Sequence, residues 1–130
     1  MQSDARRFCQ LAAALIAVAT LLGALSEHEL RARLTPDYFE VMQTALRYQY
    51  FHSLGLLGLG LLLDKWPSTS LRVAGWLLLG GVVLFSGSLY LIIAGAPRMI
   101  GVLTPIGGLS LIVAWCLTAF ALRPAARQSH

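Results

Sequence analysis

The sequence predicts an all-α protein, a four-helix transmembrane bundle formed as a single domain over residues 1–130. Hydrophobic residues make up 57% of the chain, only 12% of its residues are charged, and the mean hydropathy is +0.69. Soluble domains carry about 25% charged residues, so this composition is typical of a membrane protein. The apolar residues also fall into four segments, each near the length of about 20 residues that a helix needs to cross a bilayer.

The first predicted span covers residues 8–26 and follows the basic pair Arg6-Arg7. A basic start, a short apolar core and the small residues around Ser26 also fit a cleaved signal peptide. Three further apolar segments later in the chain favour a retained first span over that alternative.

The second predicted span covers residues 48–63 and follows a polar connection from Glu27 to Arg47. Within this connection, Thr35-Pro36-Asp37 has the composition of a helix start, with a threonine cap, a proline at the first position and an early acid. We expect one helix to run from there to Leu63. Residues 38–47 would form an interfacial helical extension before the chain enters the bilayer.

The third and fourth predicted spans cover residues 71–94 and 101–122. A polar turn around Trp66 precedes the third span, and Gly95-Ala96-Pro97-Arg98 separates it from the fourth. We expect the tail that ends at His130 to be disordered.

Small residues inside hydrocarbon indicate where helices pack closely, because they let neighbouring backbones approach. The stretch from Leu84 to Leu91 in the third span contains Ser86, Gly87 and Ser88, so we expect the other helices to pack against this span. The glycines expected at helix contacts are Gly55, Gly58, Gly81, Gly87, Gly107 and Gly108.

The distribution of Lys and Arg predicts the orientation, because cytoplasmic loops carry an excess of these residues. One side of the predicted topology holds both termini and has Arg6, Arg7, Lys65, Arg72, Arg123 and Arg127. The other side has Arg31, Arg33, Arg47 and Arg98. Both termini are therefore predicted to lie in the cytoplasm.

This topology brings polar side chains from all four helices into the outer half of the bundle. The candidate polar cluster comprises His28, Tyr48, Gln49, His52, Ser86, Ser88, Tyr90 and Thr104. Polar groups in a membrane face the protein interior or a water-filled cavity, because lipid exposure is costly. The cluster predicts either a hydrogen-bond network that fixes the fold or a small outward-facing pocket. In both cases we expect His52 to point into the bundle and to bond a group from span one, three or four, with Ser86, Ser88 and Tyr90 as the favoured partners.

Three further interpretations concern the histidines and the start of the fourth span. His28 and His52 could hold a metal only with a third or fourth ligand, for which Glu27 and Glu29 are the acids nearby. A proton relay through the histidines is an alternative. Pro105 either unwinds the start of the fourth span, as in transporter sites, or occupies the first helical turn, where proline is favoured.

Together, these segments resemble a known family of small four-span membrane proteins. The family includes bacterial YgdD and animal transmembrane protein 256, and is known as domain of unknown function 423. The resemblance rests on Gly23 to His28, Tyr48-Gln49-x-x-His52, Leu84 to Leu91, and Thr104 to Gly108 with Trp115. It departs from the family pattern at Glu27, where the family usually has a small residue. The resemblance implies an integral protein of the bacterial inner (plasma) membrane without an established activity.

The sequence favours a structural or partner-binding membrane component, since it combines small-residue helix faces with no catalytic arrangement. Ser86-Gly87-Ser88 lacks the surrounding pattern of a nucleophile elbow. Cys9 and Cys116 stand alone, so they indicate neither a disulfide framework nor a zinc site. We therefore expect no enzymatic activity, no catalytic or metal-binding residue and no cofactor.

The expected partners are the lipid bilayer and either a second copy of the chain or another membrane protein. Nucleic acid is not expected, because no basic patch accompanies groove-binding or stacking elements. The alternative function is a carrier or binding protein for a small solute or ion, with a polar pocket in the outer half of the bundle.

Overall fold

The computed structural model describes residues 1–125 and is built from helices, four of them long. In chain order the elements are α1 (Ser3–Leu25), a π-helical turn (Ser26–Leu30), α2 (Arg31–Arg33), α3 (Pro36–Lys65), α4 (Thr69–Ile93), a 3-10 turn (Arg98–Val102) and α5 (Leu103–Ala121). The predicted all-α membrane bundle is thereby confirmed. The expectation of a disordered tail concerns mainly residues 126–130, which lie outside the described part of the chain.

Among the residues that the structure describes, three helical stretches have the length and the apolar composition needed to cross a membrane. They are Ser3–Arg33, Thr69–Ile93 and Arg98–Ala121. α3 is not among them, because it carries polar residues such as Gln49 and His52 near its middle. At 30 residues it is nevertheless long enough to span, and it lies between α1 and α4 in the same bundle.

Within the polar connection from Glu27 to Arg47, a helix was expected only from Pro36 onward, whereas residues 26–33 are helical as well. α1 continues through the π-helical turn into α2, and the backbone is extended only at Leu34 and Thr35, with ψ angles of 148° and 156°. Ion pairs four residues apart, Glu27–Arg31 at 3.0 Å and Glu29–Arg33 at 3.5 Å, suit a helix as well as a polar loop. Charge alone therefore did not reveal the helix.

The predicted start of α3 is confirmed in detail. Pro36 is the first helical residue, and the Thr35 hydroxyl accepts a hydrogen bond from the Tyr38 N–H at 3.3 Å. The π-helical turn and α2 thus form a helical hairpin with the first turns of α3, here called the outer hairpin (residues 26–46). The Gln43 side-chain N–H donates to the Ser26 hydroxyl at 2.7 Å and joins its two arms.

The centre of the bundle is shared by α3 and α4. α3 packs against α1 and α4, while α4 packs against α3 and α5. α1 reaches α4 through Phe8, whose ring lies against Gly75 and contacts Trp76 edge-to-face at 5.1 Å. The expectation that the third span alone organises the bundle was therefore too narrow.

Three of the glycines predicted at helix contacts lie where two helices approach very closely. A Cβ on Gly55 would overlap Trp115, one on Gly81 would lie 2.7 Å from Leu111, and one on Gly107 would meet the Phe85 backbone N at 2.5 Å. A Cβ on Gly108 would make only an ordinary contact, 3.7 Å from the Phe85 ring.

The prediction was wrong for Gly58 and Gly87, where an added Cβ would have nothing within 4 Å. Gly87 borders a cavity of about 220 Å³ between α1 and α4, so its side of the helix has no close neighbour. Gly60, two residues beyond Gly58, does lie at a close contact, against Cys9 and the backbone of Ala5. Spacing along a helix shows where small residues lie but not which of them face a neighbour.

The end of α4 and the start of α5 lie where their glycine and proline residues predict. Gly95 has a φ of 104°, a conformation that glycine adopts without strain, and it follows Ala94, the residue that caps the end of α4. Pro105 is the third residue of α5, where its missing N–H would have no partner within the helix. The helix is not unwound there, so Pro105 occupies the first turn.

Candidate functional site

Gln49 is the polar centre of the bundle interior. Its side chain is almost fully buried, with 3% of the residue exposed. Its Nε2 donates to the Leu15 carbonyl of α1 at 2.7 Å, and its Oε1 accepts from the Tyr90 hydroxyl of α4 at 2.6 Å. One side chain therefore connects three helices.

The serines of α4 bond to both neighbouring helices. Ser86 donates to the Ala45 carbonyl of α3 at 2.7 Å. The Ser88 hydroxyl lies 2.6 Å from the Thr104 hydroxyl of α5 and 2.9 Å from the Phe85 carbonyl. Ser88 donates to that carbonyl and accepts from Thr104, so these hydroxyl groups are satisfied inside the protein.

His52 lies apart from this interior set, although it is only three residues from Gln49. Its Nδ1 accepts a hydrogen bond from the indole N–H of Trp115 in α5 at 3.0 Å. This partner lies in the fourth span, as the expectation allowed, but the favoured partners Ser86, Ser88 and Tyr90 bond elsewhere. The reason is the rotation of α3, which turns Gln49 and Ser53 inward and His52 toward α5.

His28 does not join the other polar residues. It lies exposed in the π-helical turn, and its side chain makes no hydrogen bond or ion pair within residues 1–125. Over the same residues no group of three His, Cys, Asp or Glu side chains is placed to hold a metal ion. The predicted cluster therefore divides into interior bonds, the His52–Trp115 pair and an isolated His28.

His52 and Trp115 belong to a row of four rings that crosses three helices. Phe85 stacks on Tyr48 with ring centroids 4.1 Å apart and planes 21° apart. Tyr48 lies 5.5 Å from His52, and His52 lies 6.2 Å from Trp115, between ring centroids. These rings form the wall of a groove between α3, α4 and α5.

This aromatic groove has a volume of about 510 Å³ and opens to the outside of the bundle. It is lined by Arg47, Tyr48, Phe51, His52, Phe85, Gly108, Leu111, Ile112 and Trp115. Its volume is within the range of about 300–1,000 Å³ that small-molecule sites occupy. The lining is chiefly apolar and aromatic, with Arg47 as its cation.

Local sequence explains how the groove forms. Tyr48 and His52 are four residues apart and share a side of α3. Trp115 can lie across α3 because Gly55 has no side chain, and the groove is open at Gly108 for the same reason. Trp115 is thus matched to Gly55 on α3, and Phe85 to Gly108 on α5.

Sequence reasoning included Tyr48 and His52 in the candidate site but missed the rest of the groove. Arg47, Phe51, Phe85 and Trp115 were not among the predicted site residues. A signal was present in Arg47 and Phe51, which are four residues apart and lie on the lipid-facing side of α3. Phe85 and Trp115 lie in segments that carry the family resemblance, but only the tertiary packing brings them to α3.

The apolar helices, the interior hydrogen bonds and the laterally open aromatic groove define a small all-helical integral membrane protein. A family described as "Protein of unknown function (DUF423)" matches residues 22–108, two thirds of the chain. The chain belongs to this family, which confirms the resemblance that its motifs indicated.

Bacterial relatives support the same assignment. A UPF0382 membrane protein, YwdK of Bacillus subtilis, is 38% identical over 109 residues, which cover 83% of this chain and 87% of the relative. A UPF0382 membrane protein of Staphylococcus epidermidis is 42% identical, with the match covering 83% of this chain and 86% of the relative. One of Staphylococcus saprophyticus is 43% identical, with the match covering 80% of this chain and 84% of the relative. No solved structure matches the chain.

Proposed function

We propose that this protein is a non-enzymatic component of the bacterial plasma membrane that binds a membrane-embedded partner in the aromatic groove. The observation that carries the proposal is the row of four rings from Phe85 to Trp115, which faces outward from the bundle. Aromatic residues are enriched in binding surfaces, because they present large, rigid contact area. Phe51 beside this row is 67% exposed, so a partner has an accessible anchor.

The interior hydrogen bonds favour this function over a carrier for a small solute or ion. A carrier needs a hydrated path past its polar side chains. Gln49, Ser86 and Ser88 instead bond to Tyr90, Thr104 and backbone carbonyls. These bonds are typical of the contacts that fix helices against one another in a membrane.

The orientation with both termini in the cytoplasm is part of this proposal and rests on the distribution of Lys and Arg. The outer hairpin would then lie outside the cell. With Cys9 and Cys116 replaced by serine, an impermeant thiol reagent on intact cells should label Arg33→Cys and leave Ser68→Cys unlabelled. The reverse pattern would contradict the orientation.

Photo-crosslinking in intact membranes tests the proposed binding. Phe51 is replaced by p-benzoylphenylalanine, and the matched control carries the same replacement at Leu21, which is 62% exposed but lies outside the groove. We expect the groove position to yield one discrete class of adduct by intact-mass measurement, and the control position to yield only a mixture of bulk lipids. The same mixture at both positions would contradict a specific partner.

A further inference from the structure

We propose that the occupant of the aromatic groove is a single diacyl phospholipid with an anionic headgroup, taken from the leaflet next to the outer hairpin. This inference rests on the proposed function, because it names the partner of the same groove. It is carried by one cation at the outer end of the groove, one imidazole N–H deeper on the same helix, and an apolar lining around them.

Arg47 supplies the charge that an anionic headgroup complements. It lines the groove and is exposed, and its guanidinium makes no ion pair or hydrogen bond with any residue that the structure describes. By contrast, Arg31 and Arg33 of the outer hairpin are paired with Glu27 and Glu29. A guanidinium can bind a phosphate through two parallel hydrogen bonds, which suits a phospholipid headgroup.

The length of α3 puts Arg47 at the depth of phosphate groups. Arg47 and Lys65 are 18 positions apart in one continuous helix, which corresponds to about 27 Å along its axis. The hydrocarbon core of a bilayer is about 30 Å thick. When Lys65 and Trp66 lie at one interface, Arg47 therefore lies at the other, where lipid phosphates are found.

His52 lies deeper on the same helix and offers a second donor. It is five positions further along α3, which is about 7.5 Å at 1.5 Å per residue. Because its Nδ1 accepts from Trp115, the neutral imidazole carries its proton on Nε2. This Nε2–H has no acceptor among residues 1–125. In a diacyl phospholipid the ester carbonyls lie a few ångströms below the phosphate, so they are the acceptors within reach.

The apolar part of the groove suits the acyl chains. It is lined by Phe51, Leu111, Ile112 and Trp115, and Gly108 leaves room beside them. A transmembrane helix as occupant fits less well, since it would have to supply both an acidic side chain at Arg47 and a hydrogen-bond acceptor at the His52 Nε2–H. A lipid brings its own phosphate to Arg47.

Fluorescence quenching by brominated lipids tests this inference on the full chain in phosphatidylcholine vesicles. One variant carries Trp66→Phe and Trp76→Phe, so that Trp115 in the groove is the remaining tryptophan. The matched variant carries Trp66→Phe and Trp115→Phe and retains Trp76, which packs on Phe8 far from the groove. Bromine-labelled phosphatidylglycerol and phosphatidylcholine are compared as quenchers.

We expect phosphatidylglycerol to bind next to Trp115 about fivefold more strongly than phosphatidylcholine, the factor that one basic residue gives at an anionic surface. The ratio at Trp76 should be close to one. Arg47→Gln should remove the preference at Trp115, whereas Arg98→Gln, an exposed basic residue outside the groove, should leave it unchanged.

Equal quenching of Trp115 by the two lipids would overturn the lipid assignment, and so would an equal loss of preference in Arg47→Gln and Arg98→Gln. If the preference is absent while crosslinking at Phe51 yields a discrete protein adduct, the lipid inference fails and the proposed binding function stands. If both experiments are negative, both proposals fail.

Discussion

The interior of the bundle and the aromatic groove use neighbouring residues for opposite purposes. Gln49 and His52 are one helical turn apart on α3, yet Gln49 is buried with both ends of its amide bonded, while His52 borders the groove with one nitrogen bonded. Gly107 and Gly108 repeat this contrast on α5, where one faces the backbone of α4 and the other borders the groove. Whether a polar side chain bonds inside the protein or can bind a ligand therefore depends on which side of the helix it occupies, rather than on its residue type or its depth.

The adjacent glycines should show the largest difference between the two regions. In Gly107→Ala the new methyl group meets the Phe85 N at 2.5 Å and the Gly81 carbonyl at 2.9 Å, so α4 and α5 must separate. Overpacking of this kind costs about 1–3 kcal/mol. Gly108→Ala places its methyl group 3.7 Å from the Phe85 ring and should leave stability unchanged.

The two variants are compared by their free energies of unfolding in mixed detergent, measured by circular dichroism. Gly87→Ala serves as a second control on α4, because its methyl group has nothing within 4 Å. If Gly107→Ala and Gly108→Ala unfold at the same denaturant concentration, the close contact between α4 and α5 does not limit stability.

Gln49→Leu should have a smaller but clear effect on stability. The substitution keeps the volume roughly constant, but it removes the acceptor of the Tyr90 hydroxyl and the donor to the Leu15 carbonyl. Leaving a buried polar group unsatisfied costs about 1–3 kcal/mol. We expect a loss of about 1–2 kcal/mol in the free energy of unfolding.

A double-mutant cycle with Tyr90→Phe checks the origin of this loss. Tyr90→Phe removes the same hydroxyl, so Gln49→Leu should cost less in that background than in the unmodified protein. Additive losses would mean that the bond between Gln49 and Tyr90 contributes nothing to holding α3 against α4.

Much of the fold could be predicted from the sequence, because its signals are local. Hydropathy gives the apolar helices, Thr35-Pro36 gives the start of α3, and Gly95 gives the end of α4. The continuation of α1 through residues 26–33 could not be predicted in this way. Its Glu and Arg residues are as compatible with a polar loop as with a helix extending beyond the membrane.

The candidate site was harder to predict, because it depends on helix rotation. Tyr48, Gln49 and His52 share a side of an ideal helix, and the sequence does not say how that side divides between two neighbours. In the structure Gln49 faces α1 and α4, while His52 faces α5. Large residues matched to small ones on another helix, such as Trp115 on Gly55, are visible only when both helices are in place.

His52→Leu should have the smallest effect on stability. The substitution removes the acceptor of the Trp115 N–H, but the pair lies at the edge of the groove rather than in the buried interior. Side-chain hydrogen bonds between membrane helices contribute about 0.6 kcal/mol on average, and we expect a loss of that size. The loss should be clearly below that of Gln49→Leu, while the indole N–H resonance of Trp115 shifts in nitrogen-15 spectra. Adduct formation at position 51 should fall at the same time, because the groove loses its second donor. A loss of stability equal to that of Gln49→Leu, with crosslinking unchanged, would show that His52 acts as an interior residue and that the two regions do not differ as described.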